Sequence, residues 1–265
     1  MHGFWIFGSA VALATLCAAC SSSSDDAKSS QIADDSGVID LGGDAGSASL
    51  ADAAVKPTDD AGAYPYEGGV LAPDRFVTTV VDFAPGTCGG FGSDGMPTVV
   101  EGPPVGGGSS SGSLDVLSLG GGGSITLSFV PNAIVDGPGS DFIVFENPFL
   151  TNASDPSTVF AEPGEVSVSD DGATWTAFPC TATVYPYGSC AGWHPVLSSP
   201  ANGISPVDPA VAGGDAFDLS SIGVTHARFV RIVDKTHEAC STTPPIANKN
   251  GFDLDAISIV NAETP

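Results

Sequence analysis

The chain has 265 residues, and its 7 lysine and arginine residues against 31 aspartate and glutamate residues give a formal net charge of -24 at pH 7. Seven cations cannot form the basic surface that nucleic-acid binding requires, so we expect no nucleic-acid partner, and attraction to anionic lipid headgroups is equally disfavoured. A strong acidic excess instead favours solubility and the binding of cations such as Ca²⁺.

The N-terminus carries an apolar run, residues 4–19, which is too short for a comfortable transmembrane helix and has the form of an export signal. The run leads into LCAAC (residues 16–20), which resembles the lipobox of bacterial lipoproteins. By that resemblance residues 1–19 are a lipoprotein signal peptide and Cys20 carries the lipid. An ordinary signal peptide cut at the same place is the alternative, and both interpretations place the chain outside the cytoplasm.

Residues 20–63 consist largely of Ser, Asp, Ala and Gly with almost no aromatic residue. Such a segment cannot bury enough apolar surface to offset its ordering entropy, so we predict a disordered tether that holds the following domain off a membrane. Ser21 beside Cys20 resembles an outer-membrane sorting signal. We therefore expect a lipid-anchored protein of the bacterial outer membrane or cell surface, whose membrane contact is the anchor alone.

Residues 64–265 are predicted to form one all-β domain. Short runs of Val, Ile, Phe and Thr alternate there with clusters of Gly, Pro, Asp and Ser, the pattern of a sandwich or barrel. The predicted strands are residues 76–83, 115–118, 124–130, 142–145, 165–169, 174–178, 227–233 and 256–260.

Alternation within these strands predicts which side chains are buried. Residues 124–129 and 165–169 alternate polar and apolar types with a period of two. Asp-Asp-Gly at 170–172 predicts a hairpin turn. In the strand near residue 230 the pattern does not decide which face is buried, and we expect Val230 and Ile232 to face the core.

Several segments resemble known families. VSVSDDGATW (166–175) and ARFVRI (227–232) resemble discoidin-type domains of the galactose-binding-like jelly-roll superfamily, which includes many bacterial carbohydrate-binding modules. Residues 112–129, 136–148 and 251–257 resemble a group of bacterial cell-surface lipoproteins and secreted proteins. The resemblance implies a jelly-roll β-sandwich that binds ligands on loops at one end, often holds one structural Ca²⁺, and carries no catalysis.

Two acidic segments are candidate calcium ligands. Asp136 and Asp141 bound a Gly-rich turn, and Glu146 follows at the far end of the next strand. Calcium takes six to eight oxygen ligands from carboxylates, amides and backbone carbonyls, which a tight acidic loop can bring together. A solvated turn without a metal is the alternative.

In the extended segment 252–260, which contains the last predicted strand, Asp253 and Asp255 share the face of Ile257 and lie at the edge of the buried side. A buried carboxylate must be paired, hydrogen-bonded or metal-bound. The resemblance implies that an acidic residue here ligates structural Ca²⁺, which Asp255 matches best, and that an N-terminal loop supplies further ligands, for which Asp94 is the candidate. Salt bridges to Arg228 or Arg231 are the alternative.

Four cysteines follow Cys20, and an even number in an exported chain predicts two disulfides. We predict Cys180–Cys190, which closes a ten-residue loop, and Cys88–Cys240, while the other two pairings of the four remain open. Among these four cysteines no CxxC motif supports a zinc site, the sequence has no histidine cluster, and His194 stands alone as an expected surface histidine.

The loop between Cys180 and Cys190 and the residues after it are rich in aromatic residues. Tyr185, Tyr187 and Trp193 are the candidate ligand-binding residues, because exposed aromatic rings can stack against sugar rings while polar groups supply hydrogen bonds. Local packing of these rings under the loop is the alternative.

The sequence contains no HExxH or P-loop motif, and its one match to GxSxG, at 108–112, lies in a Gly/Ser-rich segment predicted to be a loop, so we expect no catalytic activity. The leading hypothesis is a surface lipoprotein whose calcium-stabilised domain binds a glycan or another extracellular or envelope ligand. A structural or adhesion protein of the cell envelope with protein partners is the first alternative. A glycan hydrolase is the second, and it requires two carboxylates about 5–10 Å apart across one cleft.

Overall fold

The computed structural model describes residues 64–66, 69–236 and 251–265, all of which lie in one unit, Ala48–Pro265. The predicted signal peptide, the lipidation site Cys20, the tether and Cys240 lie outside the described residues. No helix in the described part of the chain has the length and apolarity needed to cross a membrane.

Seventeen short strands are present in the described residues. They are β1 (Tyr64–Tyr66), β2 (Gly69–Leu71), β3 (Thr79–Ala84), β4 (Leu117–Ser118), β5 (Ser124–Ser128), β6 (Ala133–Val135), β7 (Phe142–Phe145), β8 (Phe149–Leu150), β9 (Val159–Phe160), β10 (Gly164–Ser169), β11 (Thr176–Ala177), β12 (Asp215–Phe217), β13 (His226–Ala227), β14 (Phe229–Asp234), β15 (Asp253–Leu254), β16 (Ala256–Ile259) and β17 (Ala262–Glu263). Five 3-10 helices connect them: Pro73–Arg75, Ser93–Gly95, Thr98–Val100, Pro156–Thr158 and Leu219–Ile222.

Two antiparallel sheets form the body of the fold. The first has five strands in the order β11-β10-β14-β5-β3, and the second has three in the order β12-β7-β16. In the first sheet Val168 lies opposite Val230, which in turn lies opposite Leu127. These side chains occupy one face because strand residues two apart point the same way. The remaining strands form small ladders at the edges: β1-β2, β13-β6-β17, β15-β4 and β8-β9.

The core lies between the two sheets. One cluster of buried residues contains Leu127 and Ile232 from the first sheet together with Phe142 and Ile257 from the second. Within it the rings of Phe142 and Phe217 stack with their centroids 5.2 Å apart. This two-layer packing confirms the predicted all-β sandwich.

The predicted strands correspond closely to the observed ones. Residues 142–145 form a strand with the predicted bounds, and the Asp-Asp-Gly turn connects β10 to β11 as expected. Val230 and Ile232 are buried while Phe229 is half-buried, which resolves the ambiguous face of β14 as predicted. Several observed strands were not predicted, among them β12 of the second sheet and β6. The segment 252–260 is also interrupted at Asp255, so that β15 and β16 belong to different ladders.

Candidate functional site

The aromatic loop, defined here as residues 180–194, is closed by the predicted disulfide Cys180–Cys190. Its base is attached to the first sheet by paired hydrogen bonds between the backbones of Gly164 and Ala191, with N–O distances of 2.9 and 3.0 Å. Cys88 is also a disulfide cysteine, and its predicted partner lies outside the described residues. The disulfide and the backbone pairing at Ala191 therefore hold the aromatic loop against the first sheet.

The three aromatic residues named from the sequence come together on this loop. The ring centroids of Tyr185 and Trp193 lie 5.8 Å apart in an edge arrangement, and those of Tyr187 and Trp193 lie 6.3 Å apart. Tyr185 is 38% exposed, and the other two are half-buried. The indole Nε1 of Trp193 donates to the carbonyl of Cys190 at 3.0 Å. The three rings thus form one partly exposed aromatic surface, in which this hydrogen bond fixes the Trp193 ring.

A hydrogen-bonded pair of side chains lies beside the aromatic surface. His194 Nδ1 is 2.7 Å from Oδ1 of Asp215, and the His194 ring lies against the Trp193 ring with centroids 3.6 Å apart. Asp215 is buried at the start of β12, and its Oδ2 accepts the backbone N–H groups of Gly192 and Trp193. Sequence reasoning missed this pair because Asp215 is 21 residues away and only the sheet brings it to His194.

Three open cavities surround the loop. One of about 440 Å³ is lined by Tyr187 and Lys235, among others, but not by Tyr185 or Trp193. A second, of about 220 Å³, is lined by polar groups that include His194 and Asp215. A third, of about 500 Å³, lies on the other side of His194 and has a mainly aliphatic lining. His194 therefore borders both a polar and an apolar cavity.

Glu146, Glu162 and Asp253 form a buried acidic cluster. Each offers one carboxylate oxygen, and these oxygens lie within 4.8 Å of one another. Oε1 of Glu146 accepts the backbone N–H of Asp253 at 3.0 Å, and the Ser118 hydroxyl donates to Asp253. Burial raises the pKa of Glu146 well above its ordinary value, the charges of Asp253 and Glu162 raise it further, and backbone N–H groups oppose the shift. The cluster is therefore a site of concentrated negative charge in the protein interior.

Asp136, Asp141 and Asp218 form a second acidic group with the same spacing. The Asp141 carboxylate is satisfied by the chain itself: Oδ1 accepts from Gly137 N and Asn261 Nδ2, and Oδ2 accepts from Leu219 N, each at 2.8 Å. These bonds connect the turn before β7 with the end of the chain, which gives Asp141 a structural role in the sandwich.

The other predicted ligands lie apart from these groups. Asp255 is fully buried, and both its oxygens lie within 3.1 Å of the backbone nitrogen of Val105. Asp94 is exposed and belongs to neither acidic group in the described part of the chain. Arg228 pairs with Asp170 at 2.5 Å, and Arg231 lies over the Trp175 ring at 3.9 Å. Asp253 thus belongs to the buried acidic cluster and Asp255 does not, although the sequence pattern predicts one candidate site for the two.

Comparison with known proteins gives only a distant likeness. No family model and no curated protein matches the chain. Among solved structures, a Clostridium perfringens protein described as CpGH89CBM32-6 is 12% identical with a TM-score of 0.24, covering 54% of this chain and 72% of that one. A glycoside hydrolase is 11% identical with a TM-score of 0.27, covering 56% of this chain and 22% of that one. The C-terminal domain of a Bacteroides fragilis chitobiase is 9% identical with a TM-score of 0.24, covering 52% of this chain and 61% of that one. The match covers less than two thirds of the length of the last two structures. These scores are too low to assign a ligand or an activity.

Proposed function

We propose that this chain is a non-catalytic glycan-binding module, carried on a lipid-anchored surface protein and stabilised by calcium. The observation that carries the glycan-binding proposal is the aromatic surface of Tyr185, Tyr187 and Trp193 on a loop closed by a disulfide. Sugar rings present apolar C–H faces that stack on aromatic rings, while their hydroxyl groups need polar partners. The exposed His194 lies next to the aromatic surface, where Asp215 fixes its ring, and provides such a partner.

Preorganisation supports this proposal. A flexible loop must lose conformational entropy when it binds, whereas a loop that is already fixed does not. The disulfide, the hydrogen bond from Trp193 to Cys190 and the backbone pairing at Ala191 all restrict the aromatic loop before any ligand arrives. A ligand that stacks on Tyr185 and Trp193 therefore meets a surface that is already formed.

The positions of the acidic residues favour a binding module over a hydrolase. A glycosidase needs two carboxylates across an open cleft. Glu146, Glu162 and Asp253 are buried in the interior. Asp215 lines an open cavity, but its oxygens already accept two backbone N–H groups and lie against His194. These carboxylates are arranged to hold the fold together.

The anchoring part of the proposal depends on the sequence alone. Residues 16–20 resemble a lipobox, with Cys20 as the lipidated cysteine and the bacterial outer membrane or cell surface as the location. Radiolabelled palmitate should be incorporated into the chain in cells and should be lost in a Cys20→Ser variant. Equal labelling of the two proteins would contradict the anchor and would leave glycan binding unaffected.

One observation favours the adhesion alternative. The apolar cavity beside His194 is lined by Leu150, Leu197 and Val211, of which Leu197 is 37% and Val211 47% exposed. Exposed aliphatic groups around a depression are typical of protein contact surfaces. A partner protein bound there would lie on the other side of His194 from the polar cavity.

Affinity electrophoresis through gels containing a panel of polysaccharides tests the glycan proposal. We expect the purified chain to be retarded by at least one polysaccharide. Tyr185→Ala should weaken binding about tenfold, equivalent to about 1.4 kcal/mol and within the range of aromatic stacking energies. Phe160→Ala is the matched control, because Phe160 is 40% exposed, close to the 38% of Tyr185, and lies in β9 outside the aromatic loop.

The outcomes separate the two candidates. Retardation that Tyr185→Ala reduces and Phe160→Ala leaves unchanged supports glycan binding at the aromatic loop. No retardation across chemically diverse polysaccharides, or an equal loss in both variants, contradicts it. A loss of binding to envelope proteins on Leu197→Asp, with no retardation by any polysaccharide, would support the adhesion alternative.

A further inference from the structure

The buried acidic cluster of Glu146, Glu162 and Asp253 has a role that glycan binding does not explain. Its three residues come from separate parts of the sequence: the end of β7, the segment before β10, and β15. We infer that this cluster is a binding site for one divalent cation, with calcium as the ion that fits it. This inference rests on the calcium stabilisation proposed above, for which it names the site, and it does not depend on glycan binding.

An unsatisfied atom at the centre of the cluster supports the inference. Glu146 is only 2% exposed, and its Oε2 has no hydrogen-bond partner, while its Oε1 is used by the Asp253 amide. Leaving a buried carboxylate oxygen without a partner is costly, because the oxygen has lost its water and gained nothing in return. A cation among the three carboxylates would restore that interaction.

Protein cations do not satisfy Glu146 within the described residues. The ion pairs of lysine and arginine there join Arg75 to Asp74, Arg228 to Asp170 and Lys235 to Glu165. None of them reaches Glu146. A bound metal ion would supply positive charge to the Glu146 carboxylate, which these ion pairs do not reach.

The donor chemistry selects the class of ion. All three side chains offer carboxylate oxygens, which suit the hard cations Ca²⁺ and Mg²⁺, whereas zinc sites use cysteine and histidine. Calcium accepts irregular sets of six to eight oxygens at 2.3–2.6 Å, while magnesium requires a near-octahedral set at shorter distances. Three carboxylates from separate segments of the chain fit the more tolerant ion.

The cluster also holds the last part of the chain in place. Three successive backbone N–H groups each donate to a different carboxylate: Gly251 to Glu162 at 2.7 Å, Phe252 to Asp234 at 2.8 Å and Asp253 to Glu146 at 3.0 Å. Two of these acceptors belong to the cluster. A cation there would neutralise the repulsion between the acceptors and thereby stabilise the entry of the final strands into the sandwich.

Calcium titration of the purified, chelator-treated chain tests the inference, with no glycan present. Isothermal titration calorimetry should show one Ca²⁺ bound per chain, and the melting temperature should rise with calcium. Glu162→Gln keeps the side-chain shape and removes one ligand charge, so it should weaken calcium affinity at least tenfold. Asp218→Asn, in the second acidic group, is the matched control and should bind calcium like the wild type.

A second measurement remains informative if Glu162→Gln does not fold. Calcium should slow hydrogen exchange of the Gly251, Phe252 and Asp253 amides in the wild-type chain, because their acceptors become fixed. The inference is overturned if the wild type binds no calcium and its melting temperature does not change. It is also overturned if Asp218→Asn abolishes binding while Glu162→Gln retains it. Neither result depends on whether the chain binds a glycan.

Discussion

Replacing Glu146 by glutamine should have opposite effects on stability with and without calcium. The glutamine carbonyl can still accept the Asp253 amide, and its NH₂ group can donate to the neighbouring carboxylates, so the shape of the cluster is kept while one charge is removed. We expect Glu146→Gln to be more stable than the wild type in chelator and less stable than the wild type in saturating calcium.

The magnitude follows from the spacing of the carboxylates. Two unit charges 4.8 Å apart, the outer limit for the oxygens of the cluster, repel each other by about 3.5 kcal/mol at an effective dielectric constant of about 20. Glutamine removes one of these charges, so we expect Glu146→Gln to gain about 1–3 kcal/mol in chelator near pH 8. Calcium at about 1,000 times its Kd adds about 4.1 kcal/mol to the wild type alone, which exceeds the gain of the variant.

The pH dependence has a defined sign. Burial, followed by the charges of Asp253 and Glu162, raises the pKa of Glu146 in the folded chain above its ordinary value of 4.5. The folded state therefore binds this proton more tightly than the unfolded state. In chelator, the contribution of Glu146 to stability is fully present below 4.5 and is lost as the pH rises through the raised pKa.

Urea unfolding near pH 5 and pH 8, each in chelator and in calcium, measures all of these effects. Glu165→Gln is the matched control, because Glu165 is a partly exposed residue paired with Lys235 and should show neither the gain nor the loss. The reasoning is refuted if Glu146→Gln is less stable than the wild type in chelator near pH 8. It is equally refuted if Glu146→Gln keeps the full calcium response.

Two further predictions concern the aromatic loop and the β10–β11 hairpin. Replacing Cys180 and Cys190 by serine opens a loop with a sequence separation of 10, which should lower the free energy of unfolding by about 2.7 kcal/mol, as measured by urea unfolding. A loss below about 0.5 kcal/mol would contradict the loop-entropy argument. The backbone N–H of Thr174, then that of Ala173 and the Ser169 hydroxyl, lower the pKa of Asp171 to about 2. The carboxylate therefore stabilises the hairpin above pH 3.8 and loses this effect as the pH falls through about 2. NMR titration of the Asp171 carboxyl should give a midpoint near 2. A midpoint near 3.8 would count against the hydrogen-bond geometry.

Much of the fold could be predicted from the sequence because strand periodicity is a local signal. Apolar residues at alternate positions predicted β5, β10 and β14 and their buried faces, and the Asp-Asp-Gly turn predicted the hairpin. The interruption at Asp255 was not predicted, because both faces of this segment are buried. Leu254 and Ala256 are as fully buried as Ile257, so the alternation that marks a single strand face carries no information there.

The functional residues could be predicted only where they are close in sequence. Tyr185, Tyr187 and Trp193 lie within nine positions of one another, and their shared loop was visible. Glu162 was missed because it lies 16 residues after Glu146 and 91 before Asp253, and only the pairing of the sheets brings the three together. Long-range convergence of this kind leaves no local pattern in the sequence.

NMR titration of the ¹⁵N-labelled chain with a polysaccharide fragment tests the central claim most directly. The Trp193 indole resonance, assigned with Trp193→Phe, reports on the aromatic surface, while the Trp175 indole lies under Arg231 and reports on the first sheet. We predict that a bound fragment shifts the Trp193 resonance in a saturable way and leaves the Trp175 resonance unchanged. A saturable shift that spares Trp193, or no shift with any fragment, would contradict the account.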